Sequence, residues 1–125
     1  MPSLDPAELS ASDRHLLVIG CVVPRPIAWV TTIDDPAEGS PAVNLAPFSF
    51  FTGVTSSPPT VAISIGARTP AKDTLVYLRE TGEAVVPLVP TEHLDTVNQT
   101  GGEYRRGVSE VAALGLKTVP SDVVQ

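Results

Sequence analysis

Cysteine is almost missing from this chain: Cys21 is the only one in 125 residues, so no disulfide can close within it. With no histidine partner nearby in sequence, Cys21 is expected to be a buried thiol rather than a nucleophile. The two histidines, His15 and His93, lie far apart and lack metal-ligand spacing; surface or capping positions are expected for them. Cations are scarce as well. Eight Lys and Arg stand against fourteen Asp and Glu, a net charge of −6, which excludes the basic footprint of a nucleic-acid binder. No apolar run approaches the roughly 20 residues that span a bilayer. Residues 1–13 are polar and acidic, without the positive start and apolar stretch of a signal peptide. A cytoplasmic protein, with no membrane or nucleic-acid partner, is the expectation. There is no Gly-x-Ser-x-Gly elbow, no Walker loop and no Gly-x-Gly-x-x-Gly nicotinamide fingerprint.

What is present suits one globular domain over residues 1–125, with 1–13 as a surface arm. Apolar residues make up 42% and charged residues 18%, enough for one real core. Thirteen prolines cut the chain into short pieces and favour short strands. Asp13 is expected to cap a short helix from His15 to Gly20, which Pro24 and Pro26 keep from continuing. The β-branched and aromatic run Ile27–Ile33 reads as a strand with Trp29 in the core, paired through a turn over 34–40 with Ala42–Ala46. There Val43 and Leu45 share one face and Asn44 takes the other. Residues 47–59 read as a functional loop carrying Phe48, Phe50 and Phe51. Thr60–Ile65 reads as a third strand, with Val61, Ile63 and Ile65 on the apolar face and Ser64 off it. A helix with Asp73 as N-cap, Leu75 and Leu78 as inner edge and Gly82 as its end follows. Residues 84–89 read as a fourth strand, which Pro87 places at an edge or a bulge. Thr91 caps a helix to about Gln99, and a short helix covers Glu110–Leu114.

Three segments carry candidate chemistry. In Ser64-x-x-x-Arg68-x-x-x-Lys72-Asp73-Thr74, two cations, two hydroxyls and a helix start lie within eleven residues. A phosphate needs this mix: a guanidinium that can hold two oxygens, an ammonium point charge, and the free N–H groups of a first helical turn. Asp73 would repel a phosphate, and is read as the cap, paired with Arg68. A strand, a basic loop and a capped helix also occur in many proteins that bind nothing. In Asn44-Leu45-Ala46-Pro47-Phe48-Ser49, polar Asn44 and Ser49, small Ala46 and the phenylalanines can edge and cover a flat heterocycle; taken alone, the segment reads better as a strand end with a buried Asn and core phenylalanines. In Arg25–Thr32, Thr31 and Thr32 follow Trp29 on a strand that needs no ligand to explain it.

Taken in order, Pro24-Arg25-Pro26-Ile27-Ala28-Trp29-Val30-Thr31-Thr32, Asn44-Leu45-Ala46-Pro47-Phe48-Ser49-Phe50-Phe51, Ser57-Pro58-Pro59, Lys72-Asp73-Thr74 and Thr81-Gly82-Glu83 are far more specific than apart. Together with Gly115-Leu116-Lys117-Thr118 and Pro120-Ser121 they resemble the flavin reductase-like family, flavoredoxins included, from about residue 14 to Ser121. The resemblance implies a mainly β, antiparallel Greek-key split β-barrel with short helices, of the FMN-binding type. It implies a homodimer with flavin near the subunit interface. Thr31, Thr32, Asn44, Ala46 and Ser49 would line the flavin ring and ribityl chain. Ser64, Arg68, Lys72 and Thr74 would hold the phosphate, and Asn98 would face the ligand. FMN is the implied cofactor, with FAD as alternative, and NADH or NADPH the implied electron donor; no side-chain catalyst is required because the flavin carries the chemistry. Family members have longer chains with further strands, so a chain ending at Gln125 is expected to be a fragment or to complete its barrel another way. Pro87 stands where the family commonly has Asn. Three readings follow: an NAD(P)H-dependent flavin reductase feeding a monooxygenase or other redox partner, a flavin-bound electron carrier without its own nicotinamide site, and a non-catalytic barrel acting in assembly only.

Overall fold

The computed structural model describes residues 3–34 and 42–124. After a 3-10 turn at Pro6–Glu8, the elements are α1 (Ala11–Cys21), β1 (Ala28–Ile33), β2 (Val43–Phe48), β3 (Phe51–Ser56) and β4 (Pro59–Ile63). Then come α2 (Asp73–Thr81), a 3-10 turn at Thr91–His93, α3 (Leu94–Thr100) and α4 (Glu110–Ala113). No helix among the described residues is long and apolar enough to cross a membrane.

β1 and β2 are antiparallel, in register from Ala28 opposite Phe48 to Ile33 opposite Val43. Asp34 closes their open end: its N–H donates to the Ala42 carbonyl at 3.3 Å, and its Oδ1 accepts from the Ala42 N–H at 2.6 Å. The rest of the expected 34–40 turn lies outside the described residues. Both faces of this pair are covered, so both contribute core. Trp29 and Leu45 pack with Val97 and Val111 on one side; Ala28, Val30 and Phe48 pack against Phe51, Ile63, Ile65 and Ala84 on the other. Asn44 takes the face opposite Leu45, as the alternation requires.

Proline inside β2 is tolerated for a geometric reason. Thr31 exchanges both backbone hydrogen bonds with Val85, at 2.8 and 3.0 Å. Its backbone groups therefore point away from β2, and those of its partner Leu45 point away from β1. Pro47, two residues on, shares that outer edge, so its missing N–H costs the ladder nothing.

Several expectations are corrected. Ser10, not Asp13, caps α1: its Oγ accepts from the Asp13 N–H at 3.1 Å and donates to the Asp13 carboxylate at 2.6 Å. The helix therefore begins inside the expected arm. Arg25 takes the Ile19 and Val22 carbonyls at its far end, at 2.7 and 3.3 Å, where a cation also suits the helix dipole. Cys21 is exposed, not buried. The expected 47–59 loop is largely strand: β2 runs on to Phe48, and β3 pairs with β4 from Phe51 opposite Ile63, with an irregularity between Gly53 and Thr55. The third strand ends at Ile63 rather than Ile65. α2 is capped positionally by Lys72, with Asp73 its first residue; Thr74 and Tyr77 are its buried positions, and Leu75 and Leu78 are only half-buried. Gly82 ends it at φ 74, as expected. Residues 84–89 make one bridge through Val85, not a strand. Thr91 starts a 3-10 turn, and α3 begins at Leu94.

The described strands form two separate two-stranded sheets, β1–β2 and β3–β4. Strand direction and short helices match the expected barrel type. Closure does not occur among the described residues, and more of them lie in helices than in strands.

Candidate functional site

The outer edge of β2, which pairs with no strand among the described residues, borders a polar cleft of about 230 Å³. One wall is β2 itself, through Asn44, Ala46 and Pro47. A second is the approach to α2, through Arg68, Lys72, Asp73 and Thr74. The third runs from the last residue of α3 onward, where Thr100 to Tyr104 and Glu110 complete the lining.

Asn44 joins two of these walls. Its Nδ2 donates to Thr32 Oγ1 and to Thr74 Oγ1, both at 3.0 Å, and all three residues are buried. One amide therefore ties β1, β2 and the first turn of α2 together. Thr32, 2% exposed, reaches the cleft only through this bond.

The approach to α2 is cationic and uncapped. Lys72 holds the N-cap position and forms no side-chain cap hydrogen bond; its carbonyl takes the Leu75 and Val76 N–H groups at 3.0 and 3.1 Å, and the Asp73 and Thr74 N–H groups keep their capacity to bind an anion. Its Nζ sits 5.1 Å from the Phe48 ring centroid. Arg68 pairs with Glu103, Nη1 to Oε1 at 3.3 Å. Asp73 is held by Arg106 instead of by Arg68: Arg106 Nε lies 3.2 Å from Oδ1 and Nη2 donates to the Ala71 carbonyl at 2.6 Å. The arginine downstream neutralises the carboxylate that looked awkward beside a phosphate.

The third wall rests on backbone proximity and on a buried acid. A Cβ on Gly101 would lie 3.2 Å from both the Asn98 carbonyl and Pro47 Cγ; glycine permits that approach to β2. Thr100, 2% exposed, accepts from Trp29 Nε1 at 2.8 Å and donates to the Val97 carbonyl at 2.9 Å. Glu110 is 7% exposed, and its Oε2 accepts the Leu45 N–H at 3.0 Å. Burial pushes its carboxyl above the usual glutamate range and nearby Asp73 adds to this, while hydrogen bonds from the Leu45 N–H and its own N–H pull the other way.

The structure thus brings Asn44, Ala46, Arg68, Lys72 and Thr74 together on one cleft. Thr31 lines a separate small cavity of about 30 Å³ with Glu83 and Val85. Ser49 is half-buried, and Ser64 and Asn98 are exposed; none of the three lines the cleft. Sequence reasoning missed Thr100, Glu103, Tyr104 and Glu110, for which only the Gly101-Gly102 pair gave a local signal. No group of three or more His, Cys, Asp or Glu among the described residues could hold a metal ion.

A profile described as the flavin reductase like domain matches residues 18–125. A Halalkalibacterium halodurans protein is 42% identical over 124 residues, covering 97% of this chain and 57% of that protein. The chain is similar to component B of nitrilotriacetate monooxygenase from Bacillus cereus, with TM-score 0.90 and 30% identity over 99% of this chain and 60% of that one. It shares its fold with a split-barrel-domain protein of Shewanella frigidimarina NCIMB 400, at TM-score 0.75 and 22% identity over 93% and 56% of the two chains. The chain therefore spans little more than half the length of the relatives it matches. Its two small sheets correspond to part of a split barrel.

Proposed function

The chain belongs to the flavin reductase like domain family, and from that premise we propose that it is an FMN-binding, NAD(P)H-dependent flavin reductase that binds the flavin phosphate at the Arg68–Lys72 end of the cleft. One observation carries this reading: a guanidinium, an ammonium, the Thr74 hydroxyl and an uncapped helix start converge on one cleft. That donor set fits a phosphate in number and in charge. Asn44 and Ala46 continue the lining and suit the ribityl chain and ring edge.

The flavin supplies the redox chemistry. The residues of this chain hold its phosphate, orient it, and tie the cleft walls to one another. The cleft, at about 230 Å³, is smaller than the roughly 300–1,000 Å³ that encloses a drug-sized ligand. It can seat a phosphate and polyol, and the ring system needs walls from elsewhere. A homodimer with the ring near the interface provides them. Similarity to a monooxygenase component favours an oxygenase partner that consumes reduced flavin.

The test is a titration of FMN and of riboflavin by quenching of flavin fluorescence. Arg68→Ala and Lys72→Ala are each expected to weaken FMN by about ten-fold, the scale of a charge-assisted hydrogen bond, and to leave riboflavin nearly unchanged. Equal losses for both ligands would remove the phosphate assignment. Steady NADH or NADPH consumption with added FMN checks the reductase activity.

A further inference from the structure

Two arginines join the α2 approach to the segment between α3 and α4, and they are held differently. Arg106 has two partners, the Ala71 carbonyl and an Asp73 side chain that is 22% exposed. It acts as a fixed staple. Among the described residues Arg68 has one partner, a single 3.3 Å contact to Glu103, whose side chain is 91% exposed. Both Arg68 and Glu103 line the cleft.

A monodentate contact to a solvated carboxylate contributes little and is easily exchanged. A phosphate offers the same guanidinium two oxygens and more charge. While Glu103 keeps its contact, one Nη1 donor and part of the charge of Arg68 are engaged away from the phosphate. A carboxylate left beside the phosphate also repels it. Both effects weaken anionic ligands and leave neutral ones alone.

We propose that Glu103 is a specificity-determining residue of the cleft, whose carboxylate competes with the ligand phosphate for Arg68. Binding of a phosphate-bearing flavin then includes exchange of the Arg68–Glu103 pair, and the charge of Glu103 sets how strongly the cleft prefers such a flavin over riboflavin. The proposal rests on the phosphate reading above. It adds a residue that the local phosphate-binding segment does not contain, because Glu103 comes from the far wall.

The experiment compares the full chain with Glu103→Gln, which keeps the shape and removes the charge. FMN and riboflavin are titrated into each at low and at high salt, and again in an Arg68→Ala background. Glu103→Gln is expected to tighten FMN by about two- to five-fold at low salt, the range an exposed pair supports. The gain shrinks as salt screens the charges, riboflavin is unchanged, and the gain is smaller in the Arg68→Ala background, where relief of repulsion is all that remains. Wild-type preference for FMN that depends on Arg68 but does not respond to Glu103→Gln overturns the competition and leaves the phosphate reading standing. Equal tightening of FMN and riboflavin also overturns it. A wild-type chain that binds neither flavin, or binds both alike, overturns the phosphate reading and the competition together.

Discussion

Asn44 shows how one side chain can serve both packing and ligand binding. Both hydrogens of its amide are committed, one to each of two buried threonine hydroxyls on different elements. Truncation leaves those hydroxyls without their donor in a place water reaches poorly, and that cost exceeds the net value of the bonds themselves. Asn44→Ala is therefore expected to lower stability by about 1–3 kcal/mol, read as a lower urea midpoint with an unchanged m-value. Because Asn44 itself lines the part of the cleft proposed for the ribityl chain and ring edge, which both flavins share, FMN and riboflavin should both lose affinity. That separates it from Arg68 and Lys72. A variant with wild-type stability would mean the walls hold each other without this amide.

Among the elements, α4 has only four residues yet closes the outer edge of β2. Ser109 Oγ donates to the Val43 carbonyl, and Glu110 Oε2 accepts the Leu45 N–H. Val43 and Leu45 face the same way along the strand, so these two side chains stand in for a neighbouring strand at that point. Glu110 does this with a carboxyl whose folded pKa is raised, by burial first. The native state then binds more protons than the unfolded chain, from about 4.3, the free glutamate value, up to the raised value. The associated stability is fully present below that window and is lost as pH rises through the folded pKa. Glu110→Gln keeps an acceptor for Leu45 and removes the proton. Its stability relative to wild type should rise with pH across the window in urea titrations, whereas Glu110→Ala should cost about 1–3 kcal/mol throughout. A pH-independent difference for the Gln variant would contradict this. The same elements show what sequence could and could not reveal. β1, β2, the end of α2 and α4 were legible because alternation, a C-terminal glycine and a short helical run are local signals. β3 was not, since past Phe51 its side chains are exposed and alternate against no core, and Gly53 and two prolines flank or interrupt the pattern. The Arg68–Lys72 wall was readable as a run of donors. The Thr100–Glu110 wall was not, because tertiary packing alone brings it to β2.

At the scale of the whole molecule, apolar surface outruns the core. α1 buries no residue, and Leu16 and Val22 on or beside it are 57% and 53% exposed. On the β3–β4 ribbon, Val54 and Val61 are 61% and 55% exposed. A two-stranded ribbon is marginal by itself, and aliphatic side chains grouped on such elements mark an interaction surface. The cleft makes a parallel demand, since it is too small to enclose a whole flavin. A second copy of the chain would meet both needs at once, which is the physical argument for the homodimer proposed above. Sedimentation should then show a dimer, with a melting temperature that rises with protein concentration. Val61→Glu places a charge where the chain itself leaves the side chain in solvent, so the monomer's own packing is spared. It should shift the population toward monomer and weaken FMN and riboflavin alike by about ten-fold or more, the penalty for setting an unpaired charge in an interface. A monomeric wild-type chain that binds FMN tightly would contradict a site completed at the interface, and would assign the exposed valines to some other contact.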